Sequence, residues 1–325
     1  MSENTLHEPE NSKKTNTICN FCTRIAALII DIVILWLVGF ILGSFLFDFL
    51  VGIGYWALFI GYVIAVLYYG ILNSEYGNGQ TIGKRLTLIK VVDSNSKYIP
   101  LQKSFLRATV LVIPLYLNGS GFISWTTILN PVGVIIAILF FTALISLFYL
   151  YIFNSGTRQS IHDLVSGTYV VRSHIQENII HHPIWKGHLV IIIMLVLILM
   201  IGSRIGIEYF ADIKDVKQLS VITNNISKEE QYKSVSFTFI KSYQSGTKTE
   251  ILQINAYMIR ESNDLEQIAI KVFSKIDNNN DLEKYDYINV NIVYGIDFGF
   301  SRQWKSYPYT HSIEQWREKL EQSSQ

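Results

Sequence analysis

Charge is what this sequence has least of. Asp, Glu, Lys and Arg make up 16% of its 325 residues, against roughly 25% in an ordinary globular domain. That shortage, with a mean hydropathy of +0.28, excludes a disordered chain, a coiled coil and a single soluble domain of normal composition. The net charge is only +1, which excludes a dedicated nucleic-acid binder. Cysteine is nearly absent, and Cys19 and Cys22 form a lone Cys-x-x-Cys. Two thiols do not complete a four-ligand zinc site, and no strand–helix context supports a redox motif. They read as spectator thiols, with palmitoylation beside a membrane as the alternative. Residues 207–325 hold no Cys, so that part needs no disulfides. No Ser/His/Asp or paired-carboxylate constellation can be assembled from spacing, so the expectation is a non-enzyme with no cofactor.

Long apolar runs are what the sequence has in excess, all before residue 207. Residues 1–206 carry 13 Lys+Arg against 9 Asp+Glu, and residues 207–325 carry 14 against 17. A helix that spans a bilayer needs ~20 mostly apolar residues. Ile25–Leu50, Trp56–Leu72, Pro131–Phe153 and Leu189–Ile205 fit that need, and Phe105–Leu117 is a shorter fifth candidate carrying Arg107 and Pro114. Basic residues collect in three stretches: Lys13, Lys14 and Arg24; Lys84 to Arg107; and Arg158 to Lys186. Val51–Tyr55 and Asn118–Asn130 have none. By the positive-inside rule all three basic stretches face the cytoplasm only if Phe105–Leu117 crosses, extended to about Ile123. The expectation is a polytopic α-helical membrane domain of five spans. A cytoplasmic tail (1–20) precedes it, and residues 173–206 form a linker and last span. The first 20 residues are polar, and the apolar run after them is too long for a signal peptide's core, so the first span is expected to be retained. A bacterial plasma (inner) membrane fits best.

Residues 207–325 are long enough for one small core and read as an extracytoplasmic α+β domain. Val235, Phe237 and Phe239 alternate, as do Leu252, Ile254, Ala256 and Met258. Apolar residues from Leu265 to Ile276 step by three and four, giving a helix over about Ser262–Ile276 capped by Ser262 or Asn263. A long alternating strand runs from Ile288 to Phe300, an aromatic strand follows, and a last helix over Ser312–Glu321 carries Trp316 and Leu320. The order β-β-α-β-β-α predicts a helix on an antiparallel sheet. The run 277–281 lacks the Gly and terminal Glu of a calcium loop and reads as a solvated turn.

Two loops carry the chemistry. The first reads Asn73 to Asp93 and contains Gly79, Gln80, Thr81, Gly83, Lys84 and Arg85. It is not a phosphate loop, because Asn78 and Arg85 stand where Gly and Ser or Thr are required. Leu86–Val92 is strand-like, with Tyr98–Leu101 as its hairpin partner. Lys84 and Arg85 read as retention charges and lipid-phosphate contacts. The second loop runs from Ser155 to Val171 and contains the adjacent pair His162 and Asp163. That pair is open to proton exchange or to a structural turn bond through Asp163. His174, His181, His182 and His188 lack a regular ligand spacing, so no metal is expected.

Three blocks, Arg24 to Asp31, Gly79 to Arg85 with Val91–Asp93, and His162 to Thr168 with Val170–Val171, resemble the RDD family of membrane proteins. The resemblance covers about residues 20–172, so residues 21–172 are expected to form an RDD-like membrane domain. It implies Arg24, Asp31 and Asp163 as the family's Arg and two Asp, with Asp93 the alternative for the second Asp. It also implies a role in moving an ion or small solute.

Asp31 lies within the first span, where a charge costs ~2.5–3.5 kcal/mol and needs a partner. Two readings stand. In one, Asp31 binds a cation or proton between helices. In the other, it clamps helices by bonding to Thr, Tyr or a backbone amide. Arg24 is about 10 Å away along the helix, too far for a direct pair, so each needs another partner. For Arg24 that partner is Asp163 or Glu75, making either a gate or a topology anchor. The expected function is transport of an ion or small solute. The alternative is a non-transporting membrane scaffold that presents residues 207–325 to a protein partner. The expected partners are the lipid bilayer and either that solute or that protein, and no nucleic acid.

Overall fold

The computed structural model describes residues 18–54, 56–117, 131–174, 184–211, 214–244, 247–277 and 282–323. The expected extension of the short segment to Ile123, the calcium-like run from 278 onward, and Lys13, Lys14, His181 and His182 lie outside these.

The first region is helical. Helix α1 (Phe21–Gly52) is followed by α2 (Trp56–Leu72), a short α3 (Ile82–Leu86), strand β1 (Ile89–Val92), α4 (Leu101–Leu117) and α5 (Pro131–Phe153). Then come α6 (Ile161–Ser166), β2 (Tyr169–Arg172) and α7 (Lys186–Ala211). Among the described residues α1 is the one helix long and apolar enough to cross a membrane, and three shorter apolar helices cover Trp56–Leu72, Phe140–Phe153 and Lys186–Gly202. Their outer faces are greasy. Ile29, Trp36, Ile41, Phe59, Ile193 and Ile198 are exposed, as expected of helices solvated by lipid. Leu35, Ala65, Tyr69, Ala108, Val112 and Tyr116 form the contact among α1, α2 and α4.

The short segment's helix begins at Leu101, earlier than its apolar run. That start removes the expected hairpin between Leu86–Val92 and Tyr98–Leu101. Instead β1 pairs antiparallel with β2, from the second loop, with Val91 opposite Val170. The two loops are thus joined at one end of the bundle. Ile18 adds a bridge to Val171, which brings the segment before α1 to the same end.

The second region is α+β. Helix α8 (Lys214–Ser227), which the sequence reading missed, leads into β3 (Tyr232–Gln244), β4 (Thr247–Met258), α9 (Leu265–Asp277), β5 (Tyr287–Asp297), β6 (Arg302–His311) and α10 (Ile313–Ser323). The sheet order is β3-β4-β5-β6. It is mixed, not antiparallel: β4 and β5 run parallel because α9 crosses over between them. The single long strand expected to reach Phe300 ends at Asp297, where Phe298–Ser301 turns the chain into β6. Helix α9 starts at Leu265, three residues after Ser262, whose hydroxyl accepts from the Asp264 N–H. One apolar face of the sheet (Leu252, Ile254, Val290, Ile292) packs on α9 and α10 through Phe273, Ile276 and Trp316. The Trp316 indole also donates to the Ile288 carbonyl at 2.9 Å.

The regions meet along α1. The helix departs from helical geometry at Leu46. Beyond that point Leu50 and Val51 join the core of the α+β region, as does Ala57 of α2, while Asp48 is exposed. The β5–β6 turn reaches between the helices. Phe300 and Ser301 lie on Gly39, Gln303 donates to the Phe40 carbonyl at 2.8 Å, and Phe300 packs edge-on to Tyr116. At Gly61 a Cβ would collide with the Phe298 backbone, so this close approach requires glycine.

Candidate functional site

At the end of the bundle opposite the sheet, two polar constellations lie side by side. The first centres on Asp31 of α1. Tyr68 of α2 donates its hydroxyl to Oδ1 at 2.7 Å, the Gly83 N–H of α3 donates to the same oxygen at 2.8 Å, and Thr81 donates to Oδ2 at 2.6 Å. Thr81 is also the N-cap of α3, accepting from the Lys84 N–H. The loop residues supply this geometry. Gly79 at φ +66° turns the chain, and its carbonyl accepts from Val91. Gln80 ties to the Ile89 carbonyl at 2.8 Å, fixing β1. Gly83 lies so close to the Ala27 carbonyl that any Cβ would collide. The Thr81-Ile-Gly83 stretch is therefore a carboxylate receptor shaped to one turn of α1.

The second constellation centres on Asp163, fully buried in α6. Arg24 Nη1 meets Oδ2 at 3.1 Å, and Arg107 of α4 meets Oδ1 through Nη2 at 2.7 Å and Nε at 3.0 Å. Asp163 also accepts from the Ser160 N–H and the Thr168 hydroxyl. Arg24 also donates to the carbonyls of Arg158 at 2.7 Å and Val170 at 3.3 Å and stacks over Tyr151. Burial alone pushes the Asp163 carboxyl up. His162, Arg107 and Arg24 pull it down further, so it stays ionised far below the usual range. His162 goes the other way: burial, with Arg107, Arg24 and Lys84 adding to it against Asp163, lowers it to about 3. It stays neutral, with Nε2 3.3 Å from the Tyr151 hydroxyl. The Ser160 N–H bond to Asp163 is a turn bond of the kind the sequence left open for this pair.

The loop cations separate. Arg85 is exposed and reaches the Gly77 carbonyl. Lys84 is buried, which corrects the lipid-contact reading for that residue. Its ammonium touches Thr81 at 3.4 Å and lies over the Tyr69 ring. Burial and the nearby Arg107 lower it to about 7. Glu75 is exposed and Asp93 closes a turn over Asn95 and Lys97, so neither pairs with Arg24. Arg107 is the member that sequence reasoning missed, having entered only as a topology charge. Its signal was present, since a lone cation inside an apolar helical run needs a partner. Cys19 is buried and Cys22 exposed. Among the described residues no three His, Cys, Asp or Glu gather as a metal site.

A bundle of apolar helices, closed at one end by a buried Arg–Asp–Arg cluster and a helix carboxylate held by three donors, defines the class of this domain. Residues 19–167 match the model of the RDD family. That part of the chain, just under half, is an RDD family domain. Compared with curated proteins and with solved structures, the chain matches none.

Proposed function

We propose that this chain is a multi-pass plasma-membrane protein whose RDD domain is a rigid, non-transporting anchor for an extracytoplasmic α+β domain that binds a protein partner. The observation that carries the reading is Asp31. Its two oxygens take three hydrogen bonds from three side-chain and backbone donors on α2, α3 and the α3 cap. A carboxylate held by three donors from outside its own helix supports a helix clamp, whereas a cation on a transport path needs carboxylate oxygens freer than these. Ser146, a candidate path residue, bonds instead within its own helix, to the Ala143 carbonyl.

The same packing supports five spans. The β1–β2 pairing supports one side for both basic loops, so α4 leaves that side and α5 returns to it. The positive-inside rule makes that side cytoplasmic. The sheet lies at the far end of α1, about 24 Å beyond Arg24 at Phe40, which fits the extracytoplasmic side. No reaction chemistry is assigned to the chain.

The test is proton and sodium flux in liposomes carrying the full-length protein, wild type beside Asp31→Asn. The expected result is no flux above empty liposomes from either. Wild-type flux that Asp31→Asn removes would overturn the anchor reading in favour of transport. A reporter fused after Gln325 should be active only outside the cytoplasm, and cytoplasmic activity would refute the five spans.

A further inference from the structure

Between the two constellations lies a cavity of about 30 Å³, lined by Arg24, Asp31, Tyr69, Lys84, Arg107 and His162 among others. That is room for about two waters or one ion of chloride size. Its walls are rich in donors. Arg24 Nε, Arg107 Nη1, the Tyr69 hydroxyl and His162 Nδ1 are buried with no protein hydrogen-bond partner among the described residues. Lys84 has one long bond, to Thr81, and no carboxylate within ion-pair distance among the described residues. All three cations are more than nine-tenths buried.

Charge points the same way as the donors. Arg24, Arg107 and Lys84 face two carboxylates, of which Asp163 accepts five hydrogen bonds and Asp31 three. While Lys84 is protonated, one positive charge is left over, and an uncompensated buried charge is strongly destabilising. We infer that this cavity is a binding site for one small monovalent anion, of which chloride is the type, held by the Lys84 ammonium, Arg24 Nε and Arg107 Nη1. The volume is small for a phosphate ester, so a lipid headgroup is not the proposed ligand. The site is independent of the anchor reading, since a static anion stiffens an anchor as readily as it serves a path.

Binding couples to the charge of Lys84. The groups around it are Arg24 and Asp31 from α1, Tyr68 and Tyr69 from α2, Arg107 from α4, Tyr151 from α5, and His162 and Asp163 from α6. The anion prefers the ammonium, which is lost as pH rises through about 7. Affinity therefore falls about tenfold from pH 6 to pH 8.

The experiment is thermal unfolding of the purified full-length protein in micelles, titrating sodium chloride against sodium gluconate at constant ionic strength. Wild type should gain stability saturably with chloride and bromide, but not with gluconate or sulfate. Lys84→Met should lose the response, with chloride affinity at least about tenfold weaker. Exposed Lys97→Met should keep it. No saturable response in wild type would overturn the proposal and leave water as the occupant. An unchanged response in Lys84→Met would also overturn it, placing the anion elsewhere. Bromide soaked into crystals of the wild type gives an answer that no variant's folding affects. An anomalous peak among Lys84, Arg24 and Arg107 supports the site, and its absence there refutes it.

Discussion

The two regions of this molecule put the same residue types to opposite uses. In the α+β region the interior is aliphatic and aromatic, from Leu252 to Trp316. Most of its ion pairs sit outside, as between Lys319 and Glu266 or Arg317 and Asp277, although Arg302 meets the buried Asp297. In the RDD domain many large apolar residues face outward, and the charges of Arg24, Asp31, Lys84, Arg107 and Asp163 are buried. On the membrane reading proposed above, the solvent explains the inversion. Water drives apolar surface together in the first case, whereas lipid gives helices no such drive and leaves polar contacts to fix them. Five helices that would otherwise slide on one another are tied by two carboxylates.

The comparison breaks most sharply at Asp163. Asp163→Ala leaves Arg24 and Arg107 buried without a counter-charge, at a cost of about 3–5 kcal/mol. Thermal unfolding in micelles should show a large loss or no folded protein. A change under about 1 kcal/mol would mean that the cluster does not hold the bundle. In the α+β region the matching blow is apolar. Ile254→Ala, fully buried in the central sheet, should cost about 2–5 kcal/mol, read by the same unfolding measurement. Leu50 and Val51 share that core, so the change should also loosen the end of α1, seen as faster amide exchange there.

Asp31→Asn comes next, at about 1–3 kcal/mol. The amide keeps the shape but accepts through one oxygen only, so one of Tyr68, Thr81 and Gly83 loses its acceptor. Tyr68→Phe, which removes a single bond, should cost about 1 kcal/mol. If the two variants unfold alike, Asp31 is not the hub that the geometry makes it.

The parts of this structure that sequence could disclose were those with a local signature. Alternation marked β3, β4 and β5, and steps of three and four marked α9, because each period records one buried face. Arg24 and Asp31 stood out because charges beside or within an apolar run need a reason. Partnership was harder to read. Arg107 joins Asp163 across 56 residues, and nothing in its own neighbourhood names the partner. Lys84 and Arg85 are neighbours with equal claims to solvent, and only the five-residue α3 turns one inward and the other out. The pairing of β1 with β2 was hidden for the same reason, since each is a four-residue strand whose mate lies in another loop. The parallel step between β4 and β5 was within reach, because a helix between two strands of one sheet usually crosses over. Helix α8 is amphipathic and polar on average, so it carried no strong apolar run to mark it.

The smallest expected effect closes the comparison from the wet side. Lys319 meets Glu266 at 2.6 Å, but the carboxylate is about half exposed. Hydrogen bonding and charge from Lys319 hold Glu266 below its ordinary 4.5. A lowered carboxylate stabilises above its unfolded value and loses that contribution as pH falls through the folded one. Glu266→Gln should therefore matter only above about pH 4.5, by less than about 0.5 kcal/mol, and added salt should erase it. Asp163, also lowered but sealed from solvent, should keep its contribution at acid pH and in salt. A pair of unfolding series in pH and salt, Glu266→Gln beside wild type, measures that contrast. Equal salt sensitivity of the two regions would show that water reaches the cluster, and the division between a wet domain and a dry bundle would then fail.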